Sequence, residues 1–133
     1  MANDEVVLEA ARSIRPYLSE LAGPEAGDLD RQLSGMLGEA AAGRDGIDGR
    51  VLEILAHPTT DAWTASFMSK GMPPEVASFV ERSFGLPGYP EPAAAPRFVC
   101  PVNNDYSWYR MNVGTAIPRC PTHKIVLVPA EAG

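Results

Sequence analysis

An α+β fold is predicted for this 133-residue chain: an all-α helical bundle over residues 1–86, a proline-rich linker over 87–96, and a small antiparallel β module over 97–133. Three observations predict it. Apolar residues recur at three- and four-residue spacing through the first part. Leu86 to Pro96 then holds four prolines, which fix φ and remove backbone donors, so this stretch reads as extended. Beyond it the pattern changes to short alternating runs bounded by turn residues.

Asn3 or Asp4 can cap the first helix, and Asp4 and Glu5 are favourable at its positive end. Val7, Ala11, Ile14, Leu18 and Leu21 mark its buried face. Pro16 interrupts the run, so the helix should kink, or split with Ser13 capping the second piece. Gly23-Pro24 stops it and can restart the next, where Leu29, Leu33, Met36, Leu37 and Ala40 form one stripe ending at Gly43. Ile47, Val51, Leu52, Ile54 and Leu55 make a short third helix stopped by His57-Pro58. Thr59 or Thr60 can cap a fourth, carrying Trp63 and Phe67 four apart and ending at Gly71. Pro73-Pro74-Glu75 opens a fifth with Val76, Phe79, Val80 and Phe84, closed by Gly85. The connections are too short for β-α-β crossovers, and short helices so joined read as a bundle.

In the last part, Arg97-Phe98-Val99 reads as a strand. Asp105 to Arg110 alternates, with Tyr106, Trp108 and Arg110 on one face and Ser107 and Tyr109 on the other. Asn112-Val113-Gly114 is a turn, and Lys124 to Val128 is a final strand ended by Pro129. A unit of about thirty residues has too little core to stand alone, so it needs a metal or a surface to lie on.

Net charge is −6, unevenly spread. Residues 1–87 carry 14 acidic and 7 basic side chains, residues 88–133 three and four. An acidic body repels phosphate backbones and the tail lacks a Lys/Arg cluster, which disfavours nucleic acid as a partner. No apolar run approaches the ~20 residues of a membrane span, and the start is not a signal peptide, so a soluble, cytoplasmic protein without membrane contact is expected. Two cysteines in such a chain point to thiols or metal before a disulfide framework.

Cys100-Pro101-Val102-Asn103 and Cys120-Pro121-Thr122-His123 share one format twenty residues apart. A zinc ribbon presents two ligands from each of two tight turns, so the module is expected to be zinc-ribbon-like, with Cys100, Cys120 and His123 as ligands of a structural zinc ion. Asn103 falls at the fourth place, and a neutral amide is a poor zinc ligand. Asp105 can supply the fourth bond from a lengthened turn. Water or His57 can fill it instead, or the fold can persist without metal. A Cys100–Cys120 disulfide, or buried thiols with a hydrogen-bonded His123, are the other readings. No Glu or His base stands beside the turns, which counts against a catalytic zinc.

Tyr106, Trp108, Tyr109 and Arg110 form an aromatic-basic cluster. It reads either as a stacking platform or protein-binding hot spot, or as the side chains that fill the small module and dock it on the bundle. His57 reads as a cap favoured by the helix dipole. Arg12 and Arg15, near Glu9 and Glu20, read as a solvated helix face. There is no glycine-rich phosphate loop and no Ser/His/Asp order.

The opening "EAARSIRPYLSELAGPEAGDLDRQL", with "FVCP", "DYSWYR" and "IPRCPTH" further on, resembles small accessory or adaptor proteins of high-GC bacterial conflict and regulatory systems. Such modules pair a helical effector-associated-like domain with a degenerate zinc ribbon. They accompany caspase-like or trypsin-like proteases and nucleotide-driven signalling ATPases. The resemblance implies a non-enzymatic adaptor with a protein partner of that kind, and it carries over only Cys100, Cys120 and His123, as metal ligands. The competing expectation is a ribbon that binds single-stranded nucleic acid, stacking bases on Trp108 and Tyr109 and meeting phosphates with Arg97, Arg119 and Lys124.

Overall fold

A computed structural model describes residues 4–84, 95–111 and 114–130. Among these residues, six α-helices precede a small antiparallel sheet. The helices are α1 (Glu5–Ile14), α2 (Leu18–Ala22), α3 (Ala26–Ala41), α4 (Ile47–Leu55), α5 (Asp61–Lys70) and α6 (Pro74–Phe84).

Asp4 caps α1 as expected, its Oδ1 accepting from the Val6 N–H at 3.0 Å. Pro16 does split the first helix: a 3-10 turn, Arg15–Tyr17, joins α1 to α2. Ser13 does not cap the second piece. Its hydroxyl lies inside α1 and donates to Glu9 Oε2 at 3.0 Å, so the helix is redirected by the proline ring alone. Gly23 ends α2 at φ 55°, a left-handed value that a side chain resists. Thr60 sits at the start of α5 but turns its hydroxyl backwards, to the Leu55 carbonyl at 2.9 Å, instead of capping the new helix.

The helical core joins Val7, Leu8, Ala11, Ile14 and Leu18 to Leu29, Leu33, Leu37, Ile47, Val51, Leu55, Trp63 and Phe67. The helix α1 lies among α3, α4 and α5 and also touches the sheet. Trp63 and Phe67 stack with centroids 5.5 Å apart. Leu52, read with the third helix, lies in α4 and is 43% exposed on its outer side.

Three short strands make the sheet: β1 (Arg97–Val99), β2 (Ser107–Tyr109) and β3 (Val128–Pro129), in the order β2-β1-β3. Phe98 faces Trp108 on one side and Pro129 on the other. The final strand is thus shorter and later than expected, and Pro129 belongs to it. A proline fits there because position 129 faces Phe98 without needing to donate: the ladder bond is made by the Ala130 N–H to the Arg97 carbonyl at 2.8 Å. Before β3, Val126 pairs with Arg119 in a single bridge. Most of the proline-rich stretch (87–94), the Gly85 cap and Asn112-Val113 of the expected turn lie outside the described residues. At the linker's end Ala95 is buried and the Pro96 carbonyl accepts from the Arg110 N–H. No helix among the described residues is long and apolar enough to cross a membrane.

A candidate metal centre

The two Cys-Pro turns are alike at the backbone. The Cys100 carbonyl accepts from the Asn104 N–H at 3.1 Å, and the Cys120 carbonyl from the Lys124 N–H at 2.8 Å. The fifth residue of each turn is left-handed, Asn104 at φ 51° and Lys124 at φ 58°. They differ in how the chain returns. The Cys120 N–H bonds to the Ile125 carbonyl, whereas the Cys100 N–H reaches one residue further, to the Tyr106 carbonyl. The first turn is therefore one residue longer, and the extra length brings Asp105 inward while Asn103 stays exposed.

Cys100, Asp105, Cys120 and His123 converge, and one ligand atom from each lies within 4.8 Å of all the others, a group that could hold a metal ion. Cys100 Sγ is 3.3 Å and Cys120 Sγ 3.7 Å from His123 Nδ1. Cys120 Sγ is 3.5 Å from Asp105 Oδ1, and His123 Nδ1 is 3.5 Å from Asp105 Oδ2. Both cysteines and Asp105 are buried, and the thiols are free of any disulfide. A tetrahedron with bonds of ~2.0–2.3 Å has edges of about 3.3–3.8 Å. The two Cys–His123 separations fall on that range, and the Asp105 carboxylate approaches Cys120 through one oxygen and His123 through the other.

Burial pushes the Cys120 thiol up to about 11; N–H groups of His123 and Thr122 pull it down, and Asp105 and Cys100 add to the rise. A cation bound here has to displace that proton, so binding releases acid. His57, the other candidate for the fourth place, is elsewhere. Its Nε2 pairs with Glu25 at 2.8 Å and its Nδ1 meets the Thr59 hydroxyl at 2.7 Å.

Arg15 reaches the centre from the helical side. Its side chain is fully buried and its Nε bonds Asp30 of α3 at 2.6 Å. Nη1 donates to the Asp105 carbonyl at 2.7 Å, and Nη2 to the Thr122 hydroxyl at 2.8 Å and to Asp30 at 3.1 Å. Burial works against the cation, but Asp30 and then Asp105 more than offset it, so Arg15 is held above its ordinary value. The expectation of a solvated Arg12–Arg15 face is overturned. Arg12 is buried too, paired with Glu5 and Glu9. The module covers this side of the bundle, and Arg97 adds its own pair to Glu9 at 3.0 Å. A turn of the helical period (Arg12 and Arg15 beside Ala11 and Leu8) placed both arginines next to the apolar stripe, and that was the available signal.

The aromatic residues are packed. The guanidinium of Arg15 lies 5.1 Å from the centroid of Tyr106, whose ring is buried. Trp108 packs on Phe98 at 5.8 Å, across β1 and β2. Tyr109 is half-buried beside a cavity of ≈ 300 Å³ shared with Phe67 and Arg97, and Arg110 is half-buried. Burial lifts the Tyr106 phenol to about 12, partly opposed by Arg15. A phenol raised in the folded state stabilises it below pH 10, the ordinary value, and that contribution is lost as pH rises through about 12. In an alkaline absorbance titration, the phenolate signal that grows near pH 10 should fall short of the four tyrosines of the chain. A single transition with full amplitude at pH 10 would contradict this packing.

No protein-family model matches the chain, and no curated protein or solved structure matches it either.

Proposed function

We propose that the chain is a non-enzymatic interaction module whose β part is a zinc-ribbon-like clip, closed by one structural zinc ion on Cys100, Asp105, Cys120 and His123. The observation that supports this is the convergence of the four donors within 4.8 Å of one another, with the two thiols at 3.3 and 3.7 Å from His123 Nδ1. Two thiolates and an imidazole favour zinc over calcium or magnesium, which take oxygen. Four protein ligands leave no open position for a substrate or an activated water, so such an ion holds a shape. Exposed Val102, Ile125, Val126 and Val128, with Arg119 and Lys124 among them in sequence, leave the clip with apolar and basic side chains for a protein partner. A protease or signalling ATPase is the partner class in view, and the cytoplasm the compartment. The single-stranded nucleic-acid reading has less support, because the Tyr106 ring already carries Arg15 and Trp108 packs on Phe98.

Elemental analysis of the purified chain tests the site. One zinc per chain is expected, with most of it lost in Cys120→Ser. Wild-type protein free of metal after purification without chelator, and still folded over the β module, would refute the clip. Pull-downs with the full chain, compared with a Val126→Asp/Val128→Asp variant, test the partner: equal recovery of the same proteins by both would remove that face as the docking surface.

A further inference from the structure

We infer that metal binding and docking of the β module on the helices are a single coupled event, transmitted by Arg15 and Asp30. This rests on the reading of Cys100, Asp105, Cys120 and His123 as a zinc site.

The coupling follows from where one guanidinium spends its donors. Arg15 lies in the turn between α1 and α2, and Asp30 on α3 accepts from both its Nε and its Nη2. The remaining bonds leave the helical part. One goes to the carbonyl of Asp105 in the first metal turn, the other to the hydroxyl of Thr122 in the second. A single side chain thus spans both halves of the ligand set, through a ligand and through the neighbour of a ligand. A second strut runs parallel to it, from Ser34 of α3 to the same Thr122 hydroxyl at 2.9 Å.

An ion that draws the two turns together puts both acceptors where Arg15 can use them. With the turns apart, the guanidinium keeps Asp30 and exchanges its other two bonds for water, so the ordered turns gain two hydrogen bonds to a charged donor. Charge works the same way. Two thiolates, a carboxylate and a neutral imidazole around a divalent ion leave one net negative charge, and Arg15 stands 4.0 Å from the Asp105 carboxylate to offset it. Interactions that form only when the turns are ordered raise affinity for the ion, and by linkage the ion strengthens docking by the same factor. Arg15 and Asp30 are positioning residues: neither is a ligand.

Cobalt(II) titration of the full chain, followed by zinc competition, tests this in wild type, Arg15→Met, Asp30→Asn and Thr122→Val. Loss of an outer-shell partner lowers metal affinity by about 10–100-fold, which is expected for Arg15→Met, with smaller losses for the other two. The cobalt–thiolate bands should keep their positions, since the ligands are untouched. In the reciprocal direction, zinc should slow amide exchange in α1 and α3 of wild type, and slow it less in Asp30→Asn. Asp30→Asn and Thr122→Val decide the matter should Arg15→Met fail to fold. Wild-type affinity in both, with normal bands, would overturn the coupling alone. Absence of any cobalt band in wild type would remove the zinc site and the coupling together.

Discussion

Stripping the ion with a strong chelator is expected to melt the β module while leaving most of the helical signal. The module's own core is Phe98, Cys100, Tyr106, Cys120 and Leu127, and two of these five belong to the group proposed to hold the ion. Without the ion, what remains is three strands of two or three residues each and a handful of side chains, too little to offset the entropy of ordering them. Structural zinc in small domains supplies folding free energy on the order of 10 kcal/mol at neutral pH, larger than any single packing term here. Among the described residues the helical core runs from Val7 to Phe67 and takes none from the β module, so α1 to α5 retain their apolar contacts. Near-ultraviolet circular dichroism should lose the contribution of Trp108 and its neighbours on chelation and regain it with added zinc, while the contribution of Trp63 in the helical core persists. The 222 nm helical signal should persist and melt at a lower temperature. An unchanged near-ultraviolet spectrum and an unchanged melting temperature after verified metal removal would rule out an ion as the fastener.

The second large effect is expected for Phe67→Ala. The ring is 1% exposed, stacks on Trp63 and ties α5 to the core that α1 and α3 build. Truncation loses the transfer free energy of the ring and leaves a cavity between elements held by other contacts, which limits collapse. Such Phe→Ala changes cost about 3–5 kcal/mol. In a domain of this size that lowers the melting temperature by roughly ten degrees or more. Leu52→Ala, on the exposed side of α4, is the matched control and should stay within about 0.5 kcal/mol. Equal shifts for the two variants, measured by denaturant unfolding, would show that the core described here is misplaced.

Where the sequence was legible, one physical signal dominated. Helical periodicity marked Val7, Ile14, Leu33, Val51 and Phe67 because burial on one face of a helix requires it, while Gly23 and Gly71 punctuate through positive φ and Pro16 through its missing N–H and its ring. The paired Cys-Pro turns were legible as two copies of one local conformation. Their fourth member, Asp105, was one option among several, because the choice depends on how far the first turn runs before its backbone returns, and that is fixed by the Tyr106 carbonyl across the strand. Arg12 and Arg15 were misread. A charged residue beside an apolar stripe looks solvated until another element covers it, and the element that does so is over eighty residues away. Leu52 lies on the third helix as read, but off its buried side: an apolar residue one step off the stripe costs little in water and carries no periodic penalty.

The Arg15 bonds span 90 and 107 residues of chain, while its bond to Asp30 spans only 15. A growing polypeptide therefore offers the guanidinium its aspartate early and its other two acceptors last. The helices can assemble while the chain is still being made, yet one of their innermost charges must wait for a segment 90 residues further on. Closure around the Arg15 guanidinium therefore follows assembly of the helices, and on the zinc reading a shortage of metal at that moment is expected to be felt first at the turn between α1 and α2.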